Sequence, residues 1–311
     1  MMKSGTVLVT PRSLSAGDNP LLNRISEAGF RILFPSPGKQ PTEAQLLEVI
    51  GEVDGYLAGV EPIGASVLAA AVRLKVISRN GTGVDNIDLA AAGKGGVVIR
   101  RAEGANARGV AELTLAHLLS AIRHVAGSAA ALKQERWTRE KGIEVEGRTL
   151  GLVGCGKVAQ IVARFALALD MNVLAYDPYP DTRFNPGSGF TWSDLETLIA
   201  ASDFVSLHCP PPADGRPLVD ESFIARMKSG AVIINTARAS LLDEAAVIAA
   251  LDEGKLRAVT VDAFSAEPPP DWTLVKHPKV IATPHIGGFT EESIERATEV
   301  AVANLLEELT R

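Results

Sequence analysis

The chain has 311 residues, 46% of them apolar, which is enough for two domains of ordinary size with their own cores. Its 31 Lys and Arg stand against 37 Asp and Glu, a net charge of −6 at pH 7 scattered without any block of like charge, so the basic footprint of a nucleic-acid binder is missing. The chain start lacks the apolar core of a signal peptide, and no apolar run reaches the ~18 residues of a membrane span. Cys155 and Cys209 are the only cysteines, too few for a disulfide framework and without the Cys/His cluster of a structural metal site. The expectation is a soluble cytoplasmic protein with no metal and no nucleic-acid or membrane partner.

Short β-rich apolar runs alternate with amphipathic stretches along the whole chain, the pattern of parallel sheets covered by helices, so the predicted class is α/β. In the first hundred residues the strand-like runs go from Thr6 to Thr10, Phe30 to Phe34, Gly55 to Leu57, Lys75 to Ser78 and Val97 to Ile99. Helical stretches from Thr42 to Val53 and Ala65 to Ala71 lie between them. A long helix is predicted from Ala107 to His124, where Val110, Leu113, Leu118 and Ile122 fall on the spacing of a buried face, ending near Gly127. Residues Ser128 to Gly147, charged around the lone Trp137, read as an extended arm.

A second βα series follows. Strands are predicted at Leu150 to Val153, Asn172 to Tyr176, Phe204 to Leu207, Val232 to Asn235, Ala258 to Asp262 and Val280 to Ala282, and these six suit a doubly wound nucleotide-binding sheet. Helices from Lys157 to Leu169, Asp194 to Ala200, Glu221 to Met227 and Glu244 to Glu253 connect them. The closing helix, from about Glu291 to Leu309, has the apolar face of one that packs back on the first unit. The Pro-rich pieces at Pro210 to Pro212 and Pro268 to Pro270 read as rigid loops at strand ends.

Gly154, Gly156 and Ala159 form a GxGxxA pattern directly after one predicted strand and directly before a helix. Small residues there let a pyrophosphate approach the unpaired amides of the helix start. The next strand ends at Asp177, about twenty residues on, where a carboxylate can accept bonds from an adenosine ribose. That acid also repels a 2′-phosphate, and no Arg follows it in Pro178-Tyr179-Pro180, which points to NAD(H) over NADP(H).

Six motifs in order then carry a wider likeness: Asn80-Gly-Thr-Gly-Val-Asp-Asn-Ile-Asp88, Asn106-Ala-Arg-Gly-Val-Ala-Glu112, the glycine loop with His208-Cys-Pro210, Asn235-Thr-Ala-Arg238, Val261-Asp-Ala-Phe-Ser-Ala-Glu-Pro268 and Thr283-Pro-His-Ile-Gly-Gly288. Over nearly its whole length the sequence resembles the D-isomer-specific 2-hydroxyacid dehydrogenases, and within them the 3-phosphoglycerate dehydrogenase group. The resemblance implies two doubly wound parallel-sheet domains. A cofactor domain, residues 103–285, would be inserted in a discontinuous substrate domain, residues 1–102 with 286–311, and the active site would lie in the cleft between them. It also implies a homodimer built through the arm from about Arg123 to Gly147.

Interconverting a 2-hydroxy acid and its 2-oxo acid with a nicotinamide needs a proton carrier and a fixed cation for the carboxylate. The resemblance assigns these to His285 and Arg238. Glu267 would orient the imidazole and stabilise its cationic form. Amides of Thr82 and Gly83 would complete the carboxylate site. For the cofactor it assigns Asp262 to the carboxamide, Thr236, Ala237, Cys209 and Pro210 to further contacts, and Lys157 and Val158 to the pyrophosphate. His208 has no proton role on this reading, and His117, His124 and His277 are structural.

Ala102-Glu103 replaces the family's usual Thr-Pro, and Ala159 replaces its third loop glycine. Ala58 and Gly59 stand where the phosphoglycerate enzymes often carry an arginine for the substrate phosphate. Arg12 with Ser13, Arg79, Arg100 and Arg108 are the alternative sources of a distal anion site. The chain ends at Arg311, so no appended regulatory domain and no serine feedback through one are expected. The leading expectation is an NAD(H)-dependent dehydrogenase of a small D-2-hydroxy acid. The alternatives are a glyoxylate or hydroxypyruvate reductase and, in another class, an NAD-sensing binding protein without turnover.

Overall fold

The computed structural model describes residues 5–16 and 19–311. The chain forms two compact units, Met1–Asn106 with Glu291–Arg311, and Ala107–Thr290.

The first unit holds five strands, β1 (Thr6–Val9), β2 (Arg31–Leu33), β3 (Gly55–Ala58), β4 (Val76–Arg79) and β5 (Val98–Arg101). They pair in the order β2-β1-β3-β4-β5, parallel throughout. Its central strands are buried on both faces, as a parallel sheet covered by helices requires, with Val7, Leu8, Tyr56, Leu57 and Ile77 wholly enclosed. Helix Pro20–Glu27 opens on an Asn19 cap with proline at its first position, and helix Glu43–Val49 on a capping box of Thr42 and Gln45. The final helix, Glu291–Thr310, lays Ala301, Val302 and Leu305 against Val7, Val9, Leu57 and Val76. Ser78 Oγ donates to the Ala301 carbonyl over 2.7 Å, and Arg100 pairs with Glu308, so the chain end is bonded into this unit.

Seven strands build the sheet of the second unit: β6 (Thr149–Val153), β7 (Asn172–Tyr176), β8 (Phe190–Trp192), β9 (Phe204–Leu207), β10 (Ala231–Asn235), β11 (Leu256–Val261) and β12 (Val280–Ala282). Their order is β12-β11-β10-β9-β6-β7-β8, all parallel, so the winding reverses between β6 and β9. Ligands of such sheets bind at the carboxyl ends of the strands beside that reversal. Helix Ala107–Arg123 packs Ala111, Leu118, Ala121 and Ile122 against Ala159, Val162 and Ala163 of helix Lys157–Ala168. Burying a side chain such as Leu118 contributes about 1.5–3 kcal/mol.

Two sequence expectations need correction. The sheet has a seventh strand, β8, which at three residues after Gly187 and Gly189 is too short to show an alternation; it is held by the edge-to-face stack of Phe184, Phe190 and Trp192. The arm is not extended from Ser128: helix Val125–Lys133 occupies its start, favoured by the run of alanines from Ala129 to Ala131. The long helix therefore ends at Arg123, where His124 takes a left-handed φ of 55° and the two helices meet at a 67° bend. Within the arm, residues 134–147 lack a regular element. Among the described residues no single helix is long and apolar enough to cross a membrane.

Candidate active site

The predicted residues of the second unit gather at the carboxyl ends of its strands. Gly154 follows β6 with φ of +87°, and a Cβ there would lie 2.8 Å from the backbone of His208 and Cys209 beyond β9. This glycine is demanded by the fold itself. Gly156 is different: its φ is −78°, it caps helix Lys157–Ala168 without any side-chain bond, and an added Cβ would meet nothing within 4 Å. Open space over the amides of Lys157 and Val158 is what a pyrophosphate needs. Asp177, just past β7, accepts from Cys155 N at 2.8 Å through Oδ2 and from Tyr179 N at 2.9 Å through Oδ1. The acid is thus fixed beside the glycine turn, and these residues fit a dinucleotide.

Cys209 and Pro210 continue from β9. Burial, with the Asp177 charge second, pushes the Cys155 thiol up to about 12, and burial also raises Cys209, so both are poor nucleophiles. His208 Nε2 lies 2.9 Å from Ser206 Oγ, and burial lowers its pKa to about 4. The ring is therefore neutral at pH 7.

Three neighbouring strands deliver the candidate chemistry. At the end of β10, the buried Asn235 closes a tight loop: its Oδ1 accepts from Ala237 N at 3.1 Å and its Nδ2 donates to the Arg238 carbonyl at 2.8 Å. Arg238 is half-buried, with Nη1 donating to the Ala237 carbonyl at 2.9 Å. Beyond β11 comes Glu267, and beyond β12 His285; its Nδ1 lies 2.7 Å from Glu267 Oε1. His285 has a left-handed φ of 54°, uncommon for a residue with a side chain and a conformation that the surroundings must enforce.

Asp262 supplies that enforcement. It is 2% exposed, and its carboxylate accepts from Thr283 Oγ1 at 2.5 Å, Ile286 N at 2.9 Å and Gly287 N at 2.7 Å. Both flanks of His285 are therefore tied to one acid. The sequence reading gave Asp262 only a cofactor contact and gave His117 no part in the site. Yet His117 Nε2 stands 3.0 Å from Thr283 Oγ1, and Thr114, on the same helix, stands 2.9 Å from Thr236. The signal in the sequence was a Thr and a His three apart on the otherwise apolar face of that helix.

Thr82 and Gly83 lie in the first unit, in the loop after β4, where the Thr82 hydroxyl is 3.2 Å from Asn106 Oδ1 and 3.3 Å from the Ala102 carbonyl oxygen. Two of the arginines considered for a distal anion are engaged elsewhere. Arg100 pairs with Glu308; Arg108 pairs with Glu112 at 2.5 Å and lies over the Phe165 ring.

A doubly wound parallel sheet with a glycine turn at its reversal, an acid fixed beside that turn and a carboxylate–imidazole pair on the same edge defines a dinucleotide-binding α/β protein. Residues 115–287 match the family model described as "D-isomer specific 2-hydroxyacid dehydrogenase, NAD binding domain". The chain belongs to the D-isomer specific 2-hydroxyacid dehydrogenase family, and its cofactor is NAD. It is 39% identical over 275 residues to D-3-phosphoglycerate dehydrogenase of Methanocaldococcus jannaschii, a match covering 87% of this chain and 52% of that protein. To hydroxypyruvate reductase of Thermotoga maritima it is 38% identical over 271 residues, covering 85% of this chain and 88% of that one. The NAD+-bound 3-phosphoglycerate dehydrogenase of Entamoeba histolytica has the same fold at a TM-score of 0.82, with 25% identity over 99% of this chain and 96% of that one. The chain spans about half the length of the curated D-3-phosphoglycerate dehydrogenases it matches.

Proposed function

We propose that the protein is an NAD(H)-dependent oxidoreductase interconverting a small D-2-hydroxy acid and its 2-oxo acid. The observation that carries this reading is the 2.7 Å contact between His285 Nδ1 and Glu267 Oε1, on the sheet edge where Arg238 also emerges. NAD(H), when bound, supplies or accepts the hydride. His285 exchanges the proton: with Nδ1 turned to Glu267, Nε2 is the ring nitrogen for the substrate oxygen, donating in reduction and accepting in oxidation. Glu267 holds the ring in that orientation and favours the imidazolium left after oxidation. Arg238 grips the substrate carboxylate with its planar fork. Gly154, Gly156, Lys157, Val158 and Asp177 would hold the pyrophosphate and ribose. Cys209, Pro210, Thr236, Ala237 and Asp262 would line the nicotinamide side, Asp262 through the one remaining lone pair of its carboxylate, on Oδ2. The roles of Thr82 and Gly83 at the substrate carboxylate, and the assignment of the first unit to substrate, rest on the family resemblance.

Within this reading, hydroxypyruvate or glyoxylate reduction is favoured over turnover of a phosphorylated acid. Ala58 and Gly59 offer no cation, and Arg100 and Arg108 are already paired, which leaves Arg12 and Arg79 as the remaining sources of a distal anion site. The exposed Val125, Leu132 and Trp137 support a homodimer formed through this segment, and the two unbridged cysteines support a cytoplasmic setting.

The test is loss of NADH absorbance with hydroxypyruvate, glyoxylate, pyruvate and phosphohydroxypyruvate, with NADPH alongside and His285→Ala as control. Turnover of one acid with NADH, abolished in the variant while NADH still binds, is the expected result. NADH binding without turnover of any 2-oxo acid would instead favour a cofactor-sensing protein.

A further inference from the structure

Helix Ala107–Arg123 buries two polar side chains one turn apart, Thr114 and His117, at 2% and 3% exposure. Each meets a threonine that lies two residues before a proposed functional side chain. Thr114 Oγ1 donates to the Val110 carbonyl at 2.8 Å, so its single hydrogen is committed. It therefore accepts the bond from Thr236 Oγ1 at 2.9 Å, and Arg238 follows two residues on. The second contact resolves the same way. Thr283 gives its hydrogen to Asp262, hence the 3.0 Å contact with His117 Nε2 requires the ring N–H to donate to Thr283, and His285 follows two residues on.

The opposite ring nitrogen of His117, Nδ1, is buried with no hydrogen-bond partner. A leucine at this place would fill the volume without leaving a polar atom unsatisfied, so packing alone does not explain a histidine. What the ring adds is one directed N–H bond to Thr283. That bond fixes the rotor of a hydroxyl whose hydrogen must point to Asp262, and Asp262 in turn holds the two amides after the left-handed His285.

We propose that Thr114 and His117 are positioning residues, a pair of polar latches by which one helix sets the aim of Arg238 through Thr236 and of His285 through Thr283. The proposal deepens the functional reading and rests on it for the roles of Arg238 and His285. Because the two latches serve different groups, their loss has different kinetic consequences. Loosening the His117 latch misplaces the proton carrier and lowers kcat. Loosening the Thr114 latch misplaces the carboxylate grip and raises KM.

The experiment compares wild type, His117→Leu, His117→Gln and Thr114→Val with NADH and the best 2-oxo acid. His117→Leu should lower kcat by about 10- to 100-fold with little change in KM or in NADH affinity. His117→Gln, which keeps an amide N–H near the position of Nε2, should restore most of that loss, and Thr114→Val should act mainly on KM. Unchanged kcat in His117→Leu overturns the proposal, as does a parallel fall in both parameters that tracks a lowered Tm in both variants. Should His117→Leu not fold, Thr283→Val breaks the same bond and Thr283→Ser restores it. A wild type inert on every acid sinks the functional reading, not the latches. These are then read by 15N NMR of the histidine rings in the cofactor-free protein, where His117 should be the Nε2–H tautomer. The His285 signals should move in His117→Leu but not in Thr114→Val, and unmoved signals count against the latch.

Discussion

The amide of Cys155 donates to Oδ2 of Asp177 over 2.8 Å, which ties the glycine turn to the end of the adjacent strand β7. The same carboxylate accepts from Tyr179 N, so it is held rigid before any nucleotide arrives. Asp177→Ala should weaken NADH binding about tenfold while NADPH, relieved of repulsion at its 2′-phosphate, loses less. Fluorescence titration with both nucleotides checks this. An unchanged preference would show that Asp177 serves the turn alone.

Gly154 and Gly156 stand two residues apart and should fail in opposite ways. At Gly154 a side chain meets a φ of +87° and backbone atoms of His208 and Cys209 at 2.8 Å, so Gly154→Ala should destabilise the fold by about 2 kcal/mol or more. At Gly156 the backbone is ordinary and the space open, so Gly156→Ala should melt like wild type yet bind NADH poorly, because its methyl group occupies the pyrophosphate approach. Thermal melts and NADH titrations of both variants separate the effects; equal Tm values would count against the first claim.

How far the sequence spoke can be judged on particular residues. The strands β6, β9, β10 and β11 announce themselves because parallel strands buried on both faces are continuous apolar runs, and the glycine turn because its position between strand and helix is local. Glu267 and His285 are eighteen residues apart, and nothing in their spacing says that their side chains meet; only the family likeness paired them. The latches were illegible for a further reason. Thr114 and Thr236 are 122 positions apart and His117 and Thr283 166, so the contacts exist only once the helix lies against the sheet edge. Helix Val125–Lys133 was masked by the charged residues after it, and β8 by its shortness.

Glu267 and Arg238 are predicted to show different signatures. Glu267→Gln keeps the shape of the partner but not its charge, so kcat should fall about 10²- to 10⁴-fold with little change in KM. Arg238→Lys keeps the charge but loses the fork, and KM should rise more than kcat falls. Steady-state kinetics at saturating NADH decides, and identical effects from both substitutions would contradict the division of roles.

Both cysteines should be slow toward thiol reagents in the native protein. Burial raises Cys155 to about 12 and lifts Cys209 as well, which leaves little thiolate at neutral pH. Ellman's reagent should label both only after denaturation. Rapid native labelling of Cys209 would show that its loop opens.

Stability should depend on pH through histidines kept neutral. His208 is half-buried, and desolvation of its ring lowers its pKa to about 4; burial also lowers His117, against the opposing charge of Asp262. In the unfolded chain both titrate near ~6.5. Between about 6.5 and about 4 the unfolded state therefore binds protons that the folded state refuses, so stability is complete above that window and falls as pH drops through it. The helix-capping carboxylates of Asp194 and Asp220, lowered chiefly by the backbone amides of Thr197 and Phe223, add a loss of the same sign at still lower pH. Thermal melts from pH 8 to 4.5 should be level at first and then decline, and His208→Asn should flatten the decline. A level Tm down to pH 5 would mean that the folded state accepts the proton on His208 as readily as the unfolded chain does.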